Sequence, residues 1–348
     1  MLNIGIIGCG KITQVRHAPE YAENGQCRLT AWYDALPGRA QTMADEFGGT
    51  AYDSMEALLA SGVDAVSVCT ANADHASAAI AALKAGCHVL CEKPMATTFA
   101  DCLAMQEAAQ KSGKRLLIGH NQRLARAHVE ARRRIEAGEI GRVVGFHTMF
   151  GHPGPEGWTG QRNSWFFDKK RAAFGVMADL GVHKTDLLHY LLGERIVEVS
   201  AMLATVDKTY PDGTPISVDD NALCIYRTES GAIGQLHVSW TNYGVEDNST
   251  RIYGTEGVLR LYDDPECSLI LEKRDGTVER VRLDLLTSNK EQTSGGRTST
   301  GVIDSFVEAI ETGAPSPLDV GEAIQAMRVI FAAEQSAAKG CSVRVDYD

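Results

Sequence analysis

Apolar residues along this chain fall into two patterns, and the change between them comes near residue 122. Over residues 2–7, 29–33, 63–69, 88–91 and 115–119 they form short continuous runs rich in β-branched side chains. Runs of that length read as strands buried on both faces. Segments of helical period lie between them: from about Lys11, over 39–47, over 55–60 behind an N-cap at Ser54, up to Ala85 with Gly86 behind it, and over 99–112. Pro19 is expected to kink or end the first helix. Strands alternating with helices at this spacing predict a parallel sheet.

Beyond residue 123 the pattern turns towards hairpins. A helix over 127–137 and a strand over 142–150 come first. Residues 151–175 then read as a long loop rich in Gly, Pro and aromatics, and a helix over 177–192 closes at Gly193. Strands follow at 197–206, 221–228, 232–240, 250–253, 258–262, 268–273 and 278–283, with turn signals at Glu229-Ser230-Gly231 and Asp275-Gly276. This predicts a mostly antiparallel sheet. Residues 287–300 read as a polar loop, 302–312 and 320–339 as helices, and 343–345 as a last strand.

Composition narrows the functional classes. The chain has 348 residues and a formal net charge of −11, which disfavours nucleic acid or an anionic membrane as the main partner. Arg132-Arg133-Arg134 lies in a helical pattern and reads as a solvated face. The nine cysteines show no C-x-x-C pair and no zinc-ligand spacing, which suits reduced thiols in a cytoplasmic protein and no metal site. Cys69, Cys87 and Cys91 read as small core fillers. No basic or long apolar leader precedes the first strand, so no secretory address is expected.

The first strand runs into Gly8-Cys9-Gly10 and then a helical pattern, the opening of a Rossmann dinucleotide site. Gly8 allows the tight turn, Gly10 lets the backbone approach a pyrophosphate, and the helix N-terminus favours phosphate. Thr13 stands where a smaller residue is usual, which predicts looser packing of helix on strand. Asp34 ends the second strand 24 positions beyond Gly10 (34 − 10), placed to accept from both hydroxyls of an adenosine ribose and to repel a 2′-phosphate. NAD is therefore the expected cofactor, with NADP possible because Arg39 is near. Gly10, Asp34, Asn72, His75, Lys93 and Asn121 all fall at strand carboxyl ends, where such sheets bind ligands.

Two further stretches carry chemistry. Lys93, between Glu92 and Pro94, ends a buried strand; it reads either as a surface lysine or as a cation for a substrate oxygen. Asp179, His183 and Asp186 stand at i, i+4 and i+7 and share a helix face, either a solvated face or a general-base site with an imidazole between two carboxylates.

Gly8-Cys9-Gly10, Glu92-Lys93-Pro94 and Asp179-x-x-x-His183, in that order, resemble the glucose–fructose oxidoreductase/inositol dehydrogenase (Gfo/Idh/MocA) family. Ala71-Asn72-Ala73-Asp74-His75, Gly119-His120-Asn121-Gln122-Arg123 and the closing helix ending in Gly340 strengthen the likeness, which covers essentially the whole chain. It implies an α/β protein with an N-terminal Rossmann parallel sheet, residues 1–122. The C-terminal α+β domain, 123–348, would carry a large, mostly antiparallel open sheet that pairs copies into a homodimer or homotetramer.

The likeness also implies the active-site lysine at Lys93 and the substrate-binding and acid/base pair at Asp179 and His183. Gly8, Gly10, Asp34, Asn72, His75 and Glu92 match cofactor-contacting positions, and Lys11, Ile12, Lys93, Thr70 and Asn121 complete the expected cofactor set. Arg123 and Trp165, with Trp158, Phe166, Arg162 and Asn163 nearby, are expected to shape the substrate pocket, although aromatics there equally suit packing. The Lys93–Pro94 bond is expected to be cis. Departures from the family pattern are Thr13, Phe174 before Gly175 and Ala71 before Asn72.

The expected reaction is reversible hydride transfer between nicotinamide and a secondary alcohol of a sugar, sugar derivative or cyclitol. The alternatives are an NAD-recycling glycosidase or lyase of the same family, and a non-catalytic dinucleotide-binding regulator.

Overall fold

The first apolar runs form β1 (Leu2–Ile7), β2 (Cys27–Tyr33), β3 (Thr50–Ala51), β4 (Ala65–Val68), β5 (His88–Cys91) and β6 (Leu116–Ile118). These strands come from a computed structural model that describes residues 1–286 and 299–347. All six pair in parallel, in the order β3-β2-β1-β4-β5-β6. This order reverses direction between β1 and β4, which opens a crevice at their carboxyl ends. Ile4, Ile6, Ile7, Val66, Val68, Val89 and Leu90 are all buried, as two-sided strands require. The intervening helices include α1 (Ala18–Glu23), α2 (Arg39–Phe47), α3 (Met55–Leu59), α4 (His75–Lys84) and α5 (Phe99–Ser112). Ser54 caps α3 as expected, its hydroxyl accepting from the Ala57 amide at 3.1 Å. Thr98 does the same for α5.

Pro19 does not end the first helix. A π-turn over Thr13–His17 runs directly into α1, and Pro19 sits just inside that segment, where a missing N–H is tolerated.

The chain divides into two units: residues 1–121 with 299–324, and residues 122–286 with 325–347. The sequence division ran the second domain unbroken from 123 to 348. Residues 299–324 instead cluster with the first unit, for visible reasons. The Ile118 amide donates to the Leu318 carbonyl at 2.9 Å, extending the edge of β6. Glu20 accepts from the Thr300 amide at 2.8 Å, and Asn24 donates to Asp304 at 2.8 Å. Helix α10 (Val302–Thr312) has the expected bounds, as does α11 (Val320–Lys339). The expected polar loop at 287–300 lies, except for its last two residues, outside the described residues.

The second unit is built on a nine-stranded sheet among the described residues. Its strands are β7 (Val143–Gly151), β8 (Ile196–Ala204), β9 (Asn221–Thr228), β10 (Ile233–Ser239), β11 (Thr250–Gly254), β12 (Gly257–Leu261), β13 (Leu269–Lys273), β14 (Val278–Val281) and β15 (Val343–Arg344). The order is β14-β13-β12-β11-β7-β10-β9-β8-β15, antiparallel except for β7 against β10. Alternation decides the faces. Ala222, Cys224, Tyr226, Leu236, Val238, Phe146, Ile252 and Leu259 are buried on one face, whereas Met202, Leu223, Ile225 and Ile233 are exposed on the other. Helices α6 (Arg126–Glu136) and α9 (Val182–Leu192) belong to this unit.

The stretch 151–175 is not a plain loop. It holds helical turns at α7 (Pro155–Thr159), Trp165–Phe167 and α8 (Lys169–Ala172), with Ser164 and Asp168 acting as side-chain caps. The basic run is a paired surface: Arg132 meets Glu136, Arg133 meets Glu130, and Arg134 meets Glu130 and Glu279. No helix among the described residues is long and apolar enough to cross a membrane.

Candidate active site

In the first unit the sequence-predicted residues gather at the strand carboxyl ends. Gly8 has φ +98°, and a Cβ there would lie 2.6 Å from the Cys69 carbonyl carbon and oxygen, so only glycine fits. A Cβ at Gly10, by contrast, would meet no described atom within 4 Å, which leaves the backbone approachable. Lys11 and Ile12 open the helix that follows, half-buried. Thr13 does not loosen this turn. Its side chain is fully buried and its hydroxyl donates to the Gly8 carbonyl at 2.6 Å, tying the helix to the strand end.

Asp34 stands at the end of β2. Its two oxygens accept from the Cys9 amide and the Leu36 amide, each at 2.7 Å, which sets the carboxylate against the glycine turn. Together, an open glycine turn, a helix N-terminus and a carboxylate at the next strand end suit a dinucleotide: amides and dipole for phosphate, Asp34 for ribose hydroxyls.

Beyond β4, Thr70 leads into Ala71, whose φ −71° and ψ 155° are values a proline would also adopt, so this departure from the family pattern leaves the turn intact. Asn72 is buried in the short turn that follows. His75 is a strut: Nδ1 lies 2.8 Å from the Pro94 carbonyl oxygen and Nε2 3.3 Å from that of Thr70. Burial lowers its pKa, so the ring is neutral and its single proton belongs on Nδ1, the shorter contact.

At the end of β5, Glu92 is buried and Lys93 is half-buried, and the Lys93–Pro94 bond is cis. Asn121 follows β6, its amide donating to the Gly119 carbonyl at 2.9 Å.

In the second unit a π-turn over Met177–Gly181 carries Asp179, and α9 continues from it with His183. Asp219 builds the start of this helix. Its oxygens accept from the Gly175 and Met177 amides, each at 2.8 Å, and its carbonyl accepts from the Val176 amide at 2.8 Å. That approach is so close that a Cβ on Gly175 would stand 1.8 Å from the Asp219 carbonyl oxygen. Phe174 packs edge-on against Phe331 at 5.5 Å, so the departure before Gly175 is absorbed by the core.

Asp179 is buried and accepts from the Trp240 indole at 3.0 Å. Trp240 in turn meets Phe166 edge-on at 6.4 Å and Phe167 at 6.0 Å, and Phe166 stacks on Trp165 at 4.0 Å. The aromatic stretch is thus packed on the residue that holds Asp179. Trp165 and Trp158 both contact Phe166 within this cluster. His183 lies with its ring 6.1 Å from that of Phe150.

Asp186 is bound from outside its own helix. Arg123 binds it bidentately, Nε to Oδ2 at 2.7 Å and a terminal nitrogen to Oδ1 at 2.8 Å, with both side chains buried. The Arg123 guanidinium fastens the segment after β6 to α9, where a planar fork suits a carboxylate.

Sequence reasoning missed Trp240, Asp219 and Lys184. Lys184 is fully buried, donates to the Asn248 carbonyl at 2.9 Å and to the Thr250 hydroxyl at 3.2 Å, and is pulled by burial to a pKa of about 7. Trp240 left one usable sign: it sits in phase with the buried residues of β10, and a buried indole N–H needs an acceptor.

Residues 2–120 match the oxidoreductase family with an NAD-binding Rossmann fold, and residues 128–260 match the GFO/IDH/MocA C-terminal domain. The chain belongs to the Gfo/Idh/MocA family. It is 30% identical over 291 residues to levoglucosan dehydrogenase of Pseudarthrobacter phenanthrenivorans, covering 74% of this chain and 73% of that one. Myo-inositol 2-dehydrogenase of Thermotoga maritima is 26% identical over 357 residues, covering 99% of each. The match to 1,5-anhydro-D-fructose reductase of Ensifer adhaerens, at 34% identity, covers 64% of each chain. Among solved structures, aldose-aldose oxidoreductase of Caulobacter crescentus superposes with TM-score 0.82 at 26% identity over 99% of both chains. A levoglucosan dehydrogenase complex with NADH and levoglucosan gives 0.85 at 25% identity, again over 99% of both. As a member of this family, the chain is an NAD(P)-dependent oxidoreductase acting on CH–OH groups, and its first unit is the NAD-binding one.

Proposed function

We propose that this protein oxidises a secondary alcohol of a sugar, sugar derivative or cyclitol, reversibly. The observation that carries the reading is the start of α9. There a buried carboxylate, Asp179, is oriented by an indole N–H four residues before an imidazole, His183, and the whole turn is locked by Asp219. A fixed carboxylate and a histidine so spaced suit a polyol: the carboxylate accepts from hydroxyls, and the histidine takes the proton of the hydroxyl being oxidised.

Lys93 orients that oxygen and favours its negative charge. Gly8, Gly10, Lys11 and Ile12 would hold the cofactor pyrophosphate, Asp34 its ribose, and Thr70, Asn72 and Asn121 the remainder, with His75 and Glu92 acting behind them. When bound, NAD supplies the hydride acceptor. Relatives named for levoglucosan and for myo-inositol support a sugar or cyclitol substrate. The exposed apolar residues Met202, Leu223, Ile225 and Ile233, spread over three neighbouring strands, support pairing of copies through the open sheet, and the scattered, mostly buried thiols support a cytoplasmic setting.

The test is NADH formation by the purified protein with free sugars, anhydrosugars, sugar acids and cyclitols, with NADP in parallel. Stoichiometric NADH with one of these is the expected result. Turnover that recycles NAD without net NADH, or NAD binding with no turnover across the panel, would overturn it.

A further inference from the structure

The start of the first helix contains a buried polar relay that the proposed chemistry has not used. The π-turn over Thr13–His17 directs the His17 side chain into the sheet, where it is 1% exposed. Its Nε2 lies 2.9 Å from Glu92 Oε1, and its Nδ1 lies 3.2 Å from the Ser67 hydroxyl. Tyr21, one helical turn on, places its hydroxyl 2.8 Å from the same Ser67 oxygen. On the far side, Glu92 Oε2 accepts from the Lys93 amide at 3.2 Å. Tyr21, Ser67, His17 and Glu92 thus form one line of hydrogen bonds ending on the backbone of Lys93, and every side chain in it is buried.

We propose that His17 is a positioning residue for Lys93: as an imidazolium backed by Ser67 and Tyr21, it holds the Glu92 carboxylate, which in turn holds the Lys93 amide. The proposal rests on the reading of Lys93 as the residue that orients the reacting hydroxyl.

A lone buried carboxylate next to Lys93 would draw in the lysine ammonium. Paired with His17, Glu92 is neutralised from behind and directs its second oxygen to the Lys93 backbone amide. Energetics agree. Burial by itself would depress the His17 pKa, but the neighbouring Cys69 and Glu92 outweigh it and carry it to about 10. Burial would raise Glu92, but the hydrogen bond and charge of His17, then Arg16 and Lys93, bring it to about 2. Tyr21, Cys69, His75 and Cys91 are the other titratable groups facing the pair among the described residues. The two shifts run in the directions that favour an imidazolium against a carboxylate. A π-turn at this point is consistent with a functional demand on side-chain direction, since such turns redirect side chains at a cost to helix geometry.

The experiment uses the full-length protein and two readouts. The first is amide hydrogen exchange at Lys93, followed by NMR with 15N-lysine labelling. The second is steady-state kinetics with whichever sugar or cyclitol reduces NAD. His17→Ala is expected to speed Lys93 amide exchange tenfold or more and to lower kcat 10- to 100-fold, with the KM for NAD changed less than threefold. His17→Gln, which retains a donor towards Glu92, is expected to recover part of both. Ser67→Ala removes only the backing hydroxyl and should give a three- to tenfold loss in kcat, so the idea remains testable if His17→Ala fails to fold. A merely structural histidine would lower thermal stability while leaving kcat and Lys93 exchange as in the parent; that result overturns the proposal. If no substrate is turned over, the reaction assignment fails, and the Lys93 exchange still decides the relay.

Discussion

Asp179 depends on a residue 61 positions away in sequence, and this changes what a substitution there should do. The Trp240 indole donates to one of its oxygens at 3.0 Å in a buried setting. Trp240→Phe keeps most of the ring packing against Phe166 and Phe167 but removes the donor. A buried carboxylate oxygen that loses its hydrogen bond costs about 1–3 kcal/mol, which is released by rotation or by protonation. The expected result is a tenfold or larger fall in kcat/KM for the sugar substrate with the KM for NAD unchanged, read by steady-state kinetics. An equal loss on both substrates would mean the indole supports only the fold. This residue also marks the limit of reading the chain alone. The placement of Gly8, Asp34, Lys93 and His183 was legible because each stands at a fixed offset from a strand or helix end. Trp240, Asp219 and His17 were not, because their partners are brought close only by folding. Thr13 was misread for the opposite reason: a bulkier residue in a tight turn looked like loosening, and the hydroxyl makes it a tie.

Elements were legible where period and caps agreed. The bounds of α2, α5, β9, α10 and α11 match the apolar pattern residue for residue. The two π-turns left no such trace, since one wider turn hardly disturbs a helical pattern read over several turns. Both lie where a helix brings proposed functional side chains to the end of a sheet, at Thr13–His17 and at Met177–Gly181. The second depends on Asp219, which takes the Gly175 and Met177 amides and so acts as the N-terminal cap. Asp219→Ala leaves those two donors buried without their acceptor. A capping loss of about 1–2 kcal/mol is expected, seen as a melting temperature lower by a few degrees. Activity should fall further than stability does, because the loosened turn carries Asp179 and precedes His183. Unchanged activity in the folded variant would separate the cap from the site.

Two properties belong to the whole molecule, and one is acid sensitivity. His128 is buried with Nδ1 2.7 Å from the Gln122 carbonyl oxygen, while its Nε2 has no hydrogen-bond partner among the described residues. Burial, helped by the charge of Lys184, pulls its pKa down to about 3, and burial likewise takes His189 to about 4. Both are neutral in the fold and take up a proton near pH ~6.5 when unfolded. The unfolded chain therefore binds more protons below that pH, and stability falls as pH drops from 6.5 towards 4. His75, His88 and His237 add in the same direction. The His17–Glu92 pair contributes little slope between pH 5 and 6: the raised pKa of His17 gives stability that is full below about pH 6.5 and is lost as pH rises above it, and the lowered pKa of Glu92 gives stability lost only as pH falls below about 4.5. Denaturant unfolding at pH 6 and pH 5 should show the fall, and His128→Gln, which keeps a donor for Gln122, should make it shallower by up to about 1.4 kcal/mol per pH unit. An unaltered slope would mean that His128 is not the group responsible.

The other whole-molecule property is the uncovered face of the nine-stranded sheet. Among the described residues one face of β9 is buried and the other exposed, so the alternation that buries Cys224 and Tyr226 turns Leu223 and Ile225 outward from the same strand. In register, Met202 lies opposite Leu223 on β8. Ile225 lies opposite Ser200 and Gln235, and Ile233 opposite Arg227, so the exposed apolar side chains are spread over three strands; such a group, on a chain of net charge −11, is costly to leave in water and simple to cover with an identical patch. Each such side chain gains about 1.5–3 kcal/mol when fully buried. Introducing charge at its centre, as Leu223→Glu with Ile225→Glu, should therefore split the assembly, because two copies would then bring four carboxylates together in an apolar interface. The substitutions lie outside the glycine turn and the Asp179 turn, so NAD binding should persist in the separated protomers. Sedimentation velocity with the parent protein as reference decides it. A parent that is already monomeric, or a variant that sediments as the parent does, would mean that the open face meets something other than a second copy.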